Sequence, residues 1–141
     1  MTKHLHFVQS VEPLEGGGLG KAVLGLHQAL LESGSSSRVL TTRDSVFRES
    51  FPEILQFPRR GPKPLFLAPA MVKRAPKEVG DAKIVHGHGF YVAVNSILGR
   101  QAVRQGKPLV YHPHGFLDPW IRQRSRWKKK DSALVVRRPK L

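Results

Sequence analysis

The chain of 141 residues contains no cysteine. Disulfide bonds and thiolate-ligated metal sites are therefore excluded, and a reducing compartment fits this composition. A chain of this length buries roughly two-thirds of its unfolded surface on folding, so it can form a core without such cross-links. Length alone predicts about one domain.

Long apolar runs are also missing. The longest, residues 65–72, includes Pro69 and falls well short of the about 20 residues that a membrane-spanning helix needs. Polar side chains at His4, His6 and Glu12 interrupt the N-terminal region, so we expect no secretory signal peptide. The sequence therefore predicts a cytoplasmic protein, with peripheral association at the inner face of the membrane left open.

Acidic residues are scarce. Asp and Glu number 10 against 24 Lys and Arg, which gives a formal net charge of +14. More than half of the excess lies in residues 122–141, where nine basic side chains accompany one acid. A second basic cluster, without an acid in its stretch of sequence, comprises Arg59, Arg60, Lys63, Lys73, Arg74 and Lys77.

Basic clusters of this kind either bind nucleic acid or anionic lipid, or form solvated surface. The alternative function that the charge suggests is therefore a non-enzymatic module that binds nucleic acid or membrane. Nucleic acid is the less favoured partner, because no base-reading motif accompanies the charge.

Apolar runs and helical periodicity alternate along the chain. Such alternation implies parallel strands joined by right-handed crossovers, so we predict a doubly wound, Rossmann-like α/β fold with a mostly parallel sheet. Ligands of such sheets bind at the carboxyl ends of the strands. Strands are predicted at 5–8, 38–42, 54–57, 83–86 (ended by Gly87 and Gly89) and 108–112, and helices after Gly20, over 69–79 and over 92–105.

A glycine-rich segment, residues 15–21, follows the first predicted strand. We interpret it as a loop in which glycines let a ligand approach the backbone and the helix N-terminus attracts an anion. The P-loop spacing fails because Gly16 and Gly20 enclose three residues, and the dinucleotide-binding pattern fails because Lys21 stands where it requires glycine. A tight structural turn is the alternative interpretation.

Two histidine pairs, His86 with His88 and His112 with His114, stand at the ends of the last two predicted strands. Residues two apart on a strand share a face, so each pair can converge on a ligand. Hydrogen bonding to sugar or phosphate oxygens is favoured over a metal site, because catalytic zinc usually also recruits a carboxylate or an ordered outer shell. Histidines satisfied by backbone carbonyls are the structural alternative.

Taken together, these segments resemble the N-terminal, acceptor-side domain of family 4 glycosyltransferases, which have the two-domain GT-B fold. The resemblance covers residues 3–130. It implies transfer of a sugar from a nucleotide donor to a polysaccharide or lipid-linked acceptor, with retention of anomeric configuration and without a metal or other cofactor. It rests on the run from Gly16 to Gly20, on Ile84-Val85-His86-Gly87-His88-Gly89 and on the segment from Pro108 to Trp120.

The resemblance also implies site residues. The glycines would approach the donor, two histidines would line the acceptor side, and the basic cluster between 59 and 77 would face anionic membrane or a lipid-linked acceptor. For Asp118, which precedes Pro119, the residues alone favour a helix N-cap with proline at the first helical position. The expected roles are catalytic for His114 and substrate-binding for Gly17, Gly18, Gly20, His86, His88 and Asp118.

Domain organisation follows from the same resemblance. Residues 1–121 are predicted to form the acceptor-side domain and residues 122–141 a basic tail, of which 131–141 departs from the family pattern as a non-native or frame-shifted end would. Lys83 also stands where the family usually has an acid. The family's nucleotide-sugar domain is not represented, so we expect the isolated chain to be catalytically incomplete and to need a donor domain as partner.

Overall fold

The structure is a computed structural model that describes residues 2–44, 52–62, 65–89 and 93–114. Within these ranges the strands and helices follow one another in the predicted order. None of the helices in these ranges combines the length and the apolar character needed to cross a bilayer. The elements are β1 (Thr2–Val8), α1 (Pro13–Glu32), β2 (Ser37–Arg43), β3 (Ile54–Pro58), α2 (Pro69–Asp81), β4 (Ala82–His88), α3 (Ala93–Arg104) and β5 (Leu109–His112).

The strands form one parallel sheet in the order β3-β2-β1-β4-β5. The chain builds outward from β1 to β3 and then returns to β4 on the other side of β1. The strand order therefore reverses between β1 and β4, which is the position where ligands of such sheets bind. The predicted Rossmann-like α/β fold is confirmed.

Helices cover both faces of the sheet, so two cores form. Leu5 and Phe7 belong to the larger core beneath α2 and α3, whereas Val8 belongs to the core beneath α1. Because alternate side chains of a strand share a face, His4 and His6 lie on the α1 face together with Val8. The face on which the histidines lie is thus set by the apolar residues between them.

A buried carboxylate fixes α2 against β2. Glu78 has no exposed surface and accepts hydrogen bonds from Arg38 Nη1 at 2.9 Å and Arg74 Nε at 3.0 Å. Burial alone would raise the pKa of Glu78, but the two guanidinium groups hold it below its usual value. Arg38 also pairs with Glu53 at 3.0 Å, so the network includes the approach to β3.

β4 continues through Gly87, which corrects the prediction that this glycine ends the strand. A Cβ at Gly87 would lie 2.6 Å from Cε1 of Tyr111 and 2.9 Å from Cε2 of Phe7. The missing side chain makes room for the tyrosine ring in the larger core. Gly87 therefore serves packing between β1, β4 and β5, and the strand carries its register on to His88.

We expect Gly87→Ala to lower the free energy of unfolding by about 1–3 kcal/mol, because its methyl group overlaps the buried ring of Phe7 and the partly buried ring of Tyr111. Gly25→Ala is the matched control, since a Cβ at that helical position meets nothing within 4 Å and alanine favours a helix over glycine by about 0.5–1 kcal/mol. Urea unfolding measures both changes. Equal stability of Gly87→Ala and the unsubstituted chain would contradict the packing role.

Candidate functional site

The glycine-rich segment lies inside α1 and not in a loop before it, which corrects the sequence prediction. α1 begins with Pro13 in its first turn, and Gly17 interrupts the helix with φ 52° and ψ −141°. Proline suits the first turn of a helix because it gives up no hydrogen bond there. A positive φ is accessible to glycine and costly for other residues. The segment therefore forms a kinked helix start just beyond the carboxyl end of β1.

The four glycines of this segment divide into two roles. A Cβ would lie 2.5 Å from the carbonyl oxygen of Ser10 at Gly16 and 3.0 Å from the same atom at Gly20, so these two allow the helix to approach the backbone. A Cβ at Gly17 or Gly18 would meet nothing within 4 Å. Of the predicted glycines, Gly17 and Gly18 thus border open space, whereas Gly20 faces the preceding backbone. The packing role of Gly16 was missed, although its spacing of four from Gly20 places both on one side of a helix.

Contacts from two neighbouring segments hold the kinked helix start. Oε1 of Glu15 lies 2.7 Å from Nη1 of Arg59, and both side chains are largely buried. The Arg59 guanidinium is also 4.9 Å from the centre of the Phe66 ring. At the end of β2, the Thr42 hydroxyl donates to the carbonyl oxygen of Gln9. The backbone around the open glycines is therefore fixed from β2 and from the segment after β3.

Six histidines form two hydrogen-bonded rows that run across β1, β4 and β5. In each row, Nδ1 of one ring lies 2.9–3.0 Å from Nε2 of the next. Rings that are directly opposite in the sheet stack instead, with centroids 4.4–4.5 Å apart. The first row is His4, His86 and His112, and the second row is His6, His88 and His114.

The rows bring together His86, His88 and His114, which the sequence predicted as site residues, with His112 from the second predicted pair. They also include two histidines of β1 that the sequence analysis did not single out. The missed signal is the spacing of two residues between His4 and His6, which matches that of the two recognised pairs. Asp118 lies outside the described residues.

Burial decreases along the second row toward the surface. His6 is 0% and His88 1% exposed, whereas His114 is an exposed residue. Burial, reinforced by the neighbouring imidazoles, lowers the pKa of His6 to about 2 and that of His88 to about 3. Burial also lowers the pKa of His114. The whole row is therefore neutral at pH 7.

Because its rings are neutral, the second row has one donor-to-acceptor direction. A neutral imidazole carries one N–H, so each ring donates to one neighbour and accepts from the other. Nε2 of His6 is buried and has no hydrogen-bond partner among the described residues. Because unpaired buried N–H groups are rarer than unpaired acceptors, the proton belongs on Nδ1 of His6, which donates to His88, which donates to His114. The Nδ1–H of His114 is then directed to a ligand or solvent.

The backbone of the second row is specially held at His114 and at His88. His114 has a φ of 48°, in the left-handed region that few residues other than glycine adopt and in which histidine is enriched. Such conformations cluster at functional sites. The end of β4 is fixed by buried Asn95, whose Nδ2 donates to the carbonyl oxygens of His88 at 2.8 Å and Gly89 at 3.1 Å.

The kinked helix start and the histidine rows share one edge of the sheet. Neighbouring strands are about 4.8 Å apart, so the ends of β1 and β5 are separated by roughly 10 Å. A neutral N–H donor at His114 and an open backbone at Gly17 and Gly18 are suited to the oxygens of a sugar or a phosphate. The arrangement is that of an α/β domain with polar groups at the carboxyl end of its sheet, next to the switch point between β1 and β4.

The chain belongs to Glycosyltransferase Family 4. It matches the sequence model of that family over residues 16–138, a range that includes the open glycines and the histidines of β4 and β5. The resemblance read from the sequence is thereby confirmed. Comparisons with curated proteins and with solved structures gave no match.

The buried histidines make the fold sensitive to acid. Histidine has a pKa of 6.5 when unperturbed, whereas that of His6 falls to about 2 and that of His88 to about 3 in the fold. Besides burial, four neighbouring histidines lower the pKa of His6, because a proton on one ring opposes a proton on the next. They are His4, His27, His86 and His88.

We therefore expect stability to be constant above about pH 7.5 and to fall as the pH drops below about 6.5, because the unfolded chain then binds more protons. Each of the two buried rings removes about 1.4 kcal/mol per pH unit until its folded pKa is reached. Urea unfolding at a series of pH values measures the slope. His6→Asn should reduce the slope whatever its absolute stability, and stability that is unchanged between about pH 8 and 5.5 would contradict the assignment.

Proposed function

We propose that this chain provides the acceptor side of a retaining sugar-transfer reaction, from a nucleotide-sugar donor to a polysaccharide or lipid-linked acceptor. The observation that carries the proposal is that the exposed His114, the last ring of the second row, lies at the same sheet edge as the open backbone of Gly17 and Gly18. Family membership supports glycosyltransferase chemistry in general. The donor, the acceptor and the stereochemical outcome belong to the proposal.

His114 has the central role in this proposal. Its Nδ1–H donates to a hydroxyl oxygen of the transferred sugar, and this hydrogen bond orients the sugar at the carboxyl ends of the strands. Glycosyl transfer passes through a transition state in which the sugar acquires positive charge. A histidine kept neutral by its buried neighbours holds the sugar without repelling that charge.

Gly17 and Gly18 receive the donor phosphates. Backbone N–H groups at the start of a helix are an established setting for anions, and the kink at Gly17 starts a second helical segment there. A Cβ at Gly18 would occupy space that is open in the structure. The glycines therefore contribute because no side chain stands between the phosphate and the backbone.

His86 and His88 are positioning residues in this proposal. Both ring nitrogens of His88 are used by His6 and His114, and both of His86 by His4 and His112. Each ring thus acts through its neighbour. We assign them this role in place of the direct acceptor contact that the family resemblance implies.

A second domain is needed to complete the proposed reaction. The sheet edge offers groups for phosphate and sugar, and the family resemblance assigns the base and ribose of the donor to a separate domain. We therefore propose that the 141-residue chain alone gives no turnover, and that it works with a donor-binding domain, joined to it or separate.

A basic module that binds an anionic membrane is the second candidate, favoured by the net charge of +14. Within the described residues the fold neutralises much of the cluster between 59 and 77. Arg60 and Lys73 are exposed, but three other members have acidic partners. The pairs are Arg59 with Glu15, Arg74 with Glu78 and Lys77 with Asp81.

Ligand binding to the glycines can be tested on the chain as it is. We expect nucleoside diphosphate sugars to shift the amide NMR signals of residues 16–20 and of residues near His114. Gly18→Ala should weaken this binding by about 10-fold without loss of stability, because its methyl group fills the space for the phosphate. Gly25→Ala is the control on the same helix. Equal affinity of both variants would contradict the proposed phosphate contact.

The role of His114 is tested by sugar transfer with a donor-binding domain of the family supplied. His114→Asn keeps a residue that tolerates a positive φ and removes the imidazole donor, so we expect kcat to fall by about 100-fold. Arg100→Gln, at an exposed position on α3, is the control. Turnover by His114→Asn at the unsubstituted rate, or by the isolated chain, would contradict the proposal.

A further inference from the structure

Three histidine nitrogens converge at the outer end of the rows. His88, His112 and His114 each offer one ring nitrogen, and these atoms all lie within 4.8 Å of one another. Imidazole nitrogen is a preferred ligand of zinc, copper and nickel ions. The group is distinct from the contact proposed for the sugar, since that contact uses Nδ1 of His114 alone.

Hydrogen bonds restrict which nitrogens can bind an ion. Nε2 of His88 is engaged by His6, and Nε2 of His112 is engaged by His86. An ion can therefore use Nδ1 of His112, and Nδ1 of His88 if it replaces the hydrogen bond between His88 and His114. Nδ1 of His88 lies 3.0 Å from Nε2 of His114.

This separation is close to what a tetrahedral ion requires. Two nitrogens at about 2.0–2.1 Å from a zinc ion are roughly 3.3 Å apart. His88 and His114 need to separate by only about 0.3 Å for an ion to replace the proton between them. The distances to the His112 nitrogen reach up to 4.8 Å, so that ring must approach the other two as well.

An ordered outer shell is also in place. A histidine that binds a metal almost always donates its other ring N–H to a fixed acceptor, and this orients the ring. Nδ1 of His6 is positioned to accept from His88, and Nδ1 of His86 to accept from His112. The absence of such a shell was the argument against a metal in the sequence analysis, and the histidines of β1 and β4 provide it.

We propose that His88, His112 and His114 form a site for one divalent transition-metal ion, with zinc as the reference ion. Three neutral ligands leave the ion its full charge of about +2 and one coordination position for water or a ligand oxygen. The ion uses Nε2 of His114 and leaves its Nδ1–H free. The metal-bound chain is proposed as a state separate from the one that transfers sugar, in which His114 carries no positive charge.

Metal binding reverses the direction of the second row. Without an ion, Nδ1–H of His88 donates to His114. With an ion on Nδ1, the proton of His88 lies on Nε2 and donates to His6, whose own proton moves to its buried Nε2. The ion therefore leaves a spectroscopic signature at His6, a residue that it does not touch, and the unpaired N–H at that position moderates the affinity.

The test is a zinc titration of the purified chain, followed by calorimetry and by ¹⁵N NMR of the ring nitrogens. We expect one zinc ion per chain and a change of His6 and His88 from the Nδ1–H to the Nε2–H form. His112→Gln and His114→Asn should each weaken binding by roughly 10-fold or more. His4→Gln, which removes a histidine of the first row but no ligand, is the matched control and should keep the affinity.

His114 is exposed, so His114→Asn tests the site even where His112→Gln disturbs the edge strand. The proposal is overturned if the folded chain binds no zinc, or if both ligand variants bind it as tightly as the unsubstituted chain. A loss in His4→Gln as large as in the ligand variants would also overturn it, because it would show diffuse binding to the rows. Zinc binding is read directly, so a failure of sugar transfer leaves this outcome unaffected.

Discussion

The parallel register of β1, β4 and β5 is the constraint on which the site depends. It sets His6 opposite His86 and His88 opposite His112, so that opposite rings stack and diagonal rings hydrogen-bond. A slip of one residue in any of these strands would send its histidines to the opposite face. The register is fixed in turn by apolar neighbours on the other face, such as Phe7 beside Gly87.

The protonation state of the histidine rows follows from this register. The sheet and the ring stacks keep water from the inner rings, and burial keeps those rings neutral. In a neutral row the donor of each ring fixes the donor of the next ring, from the core to the surface. In a charged row the neighbouring imidazolium groups would repel one another. The tautomer of His114 at the surface is therefore determined by that of His6, which lies two strands away in the core.

The sequence could predict the fold class and part of the site because both depend on local patterns. Alternating apolar runs predicted the doubly wound sheet, and histidines two apart predicted a shared face. The hydrogen bond between His6 and His88 could not be predicted from the sequence, because the register between strands is set by packing across the whole sheet. The start of α1 was placed too late because glycines disfavour helix, and only the contacts of Gly16 and Gly20 with Ser10 show why they are tolerated there.

The central claim is that the imidazoles are hydrogen-bonded to one another and neutral. Its most direct test is the scalar coupling between ¹⁵N nuclei across the ring-to-ring hydrogen bonds in the metal-free chain at neutral pH. The account predicts couplings from His6 Nδ1 to His88 Nε2 and from His88 Nδ1 to His114 Nε2, with the proton on Nδ1 in each pair. Absence of both couplings, together with titration of His6 and His88 near the ordinary histidine pKa, would contradict it.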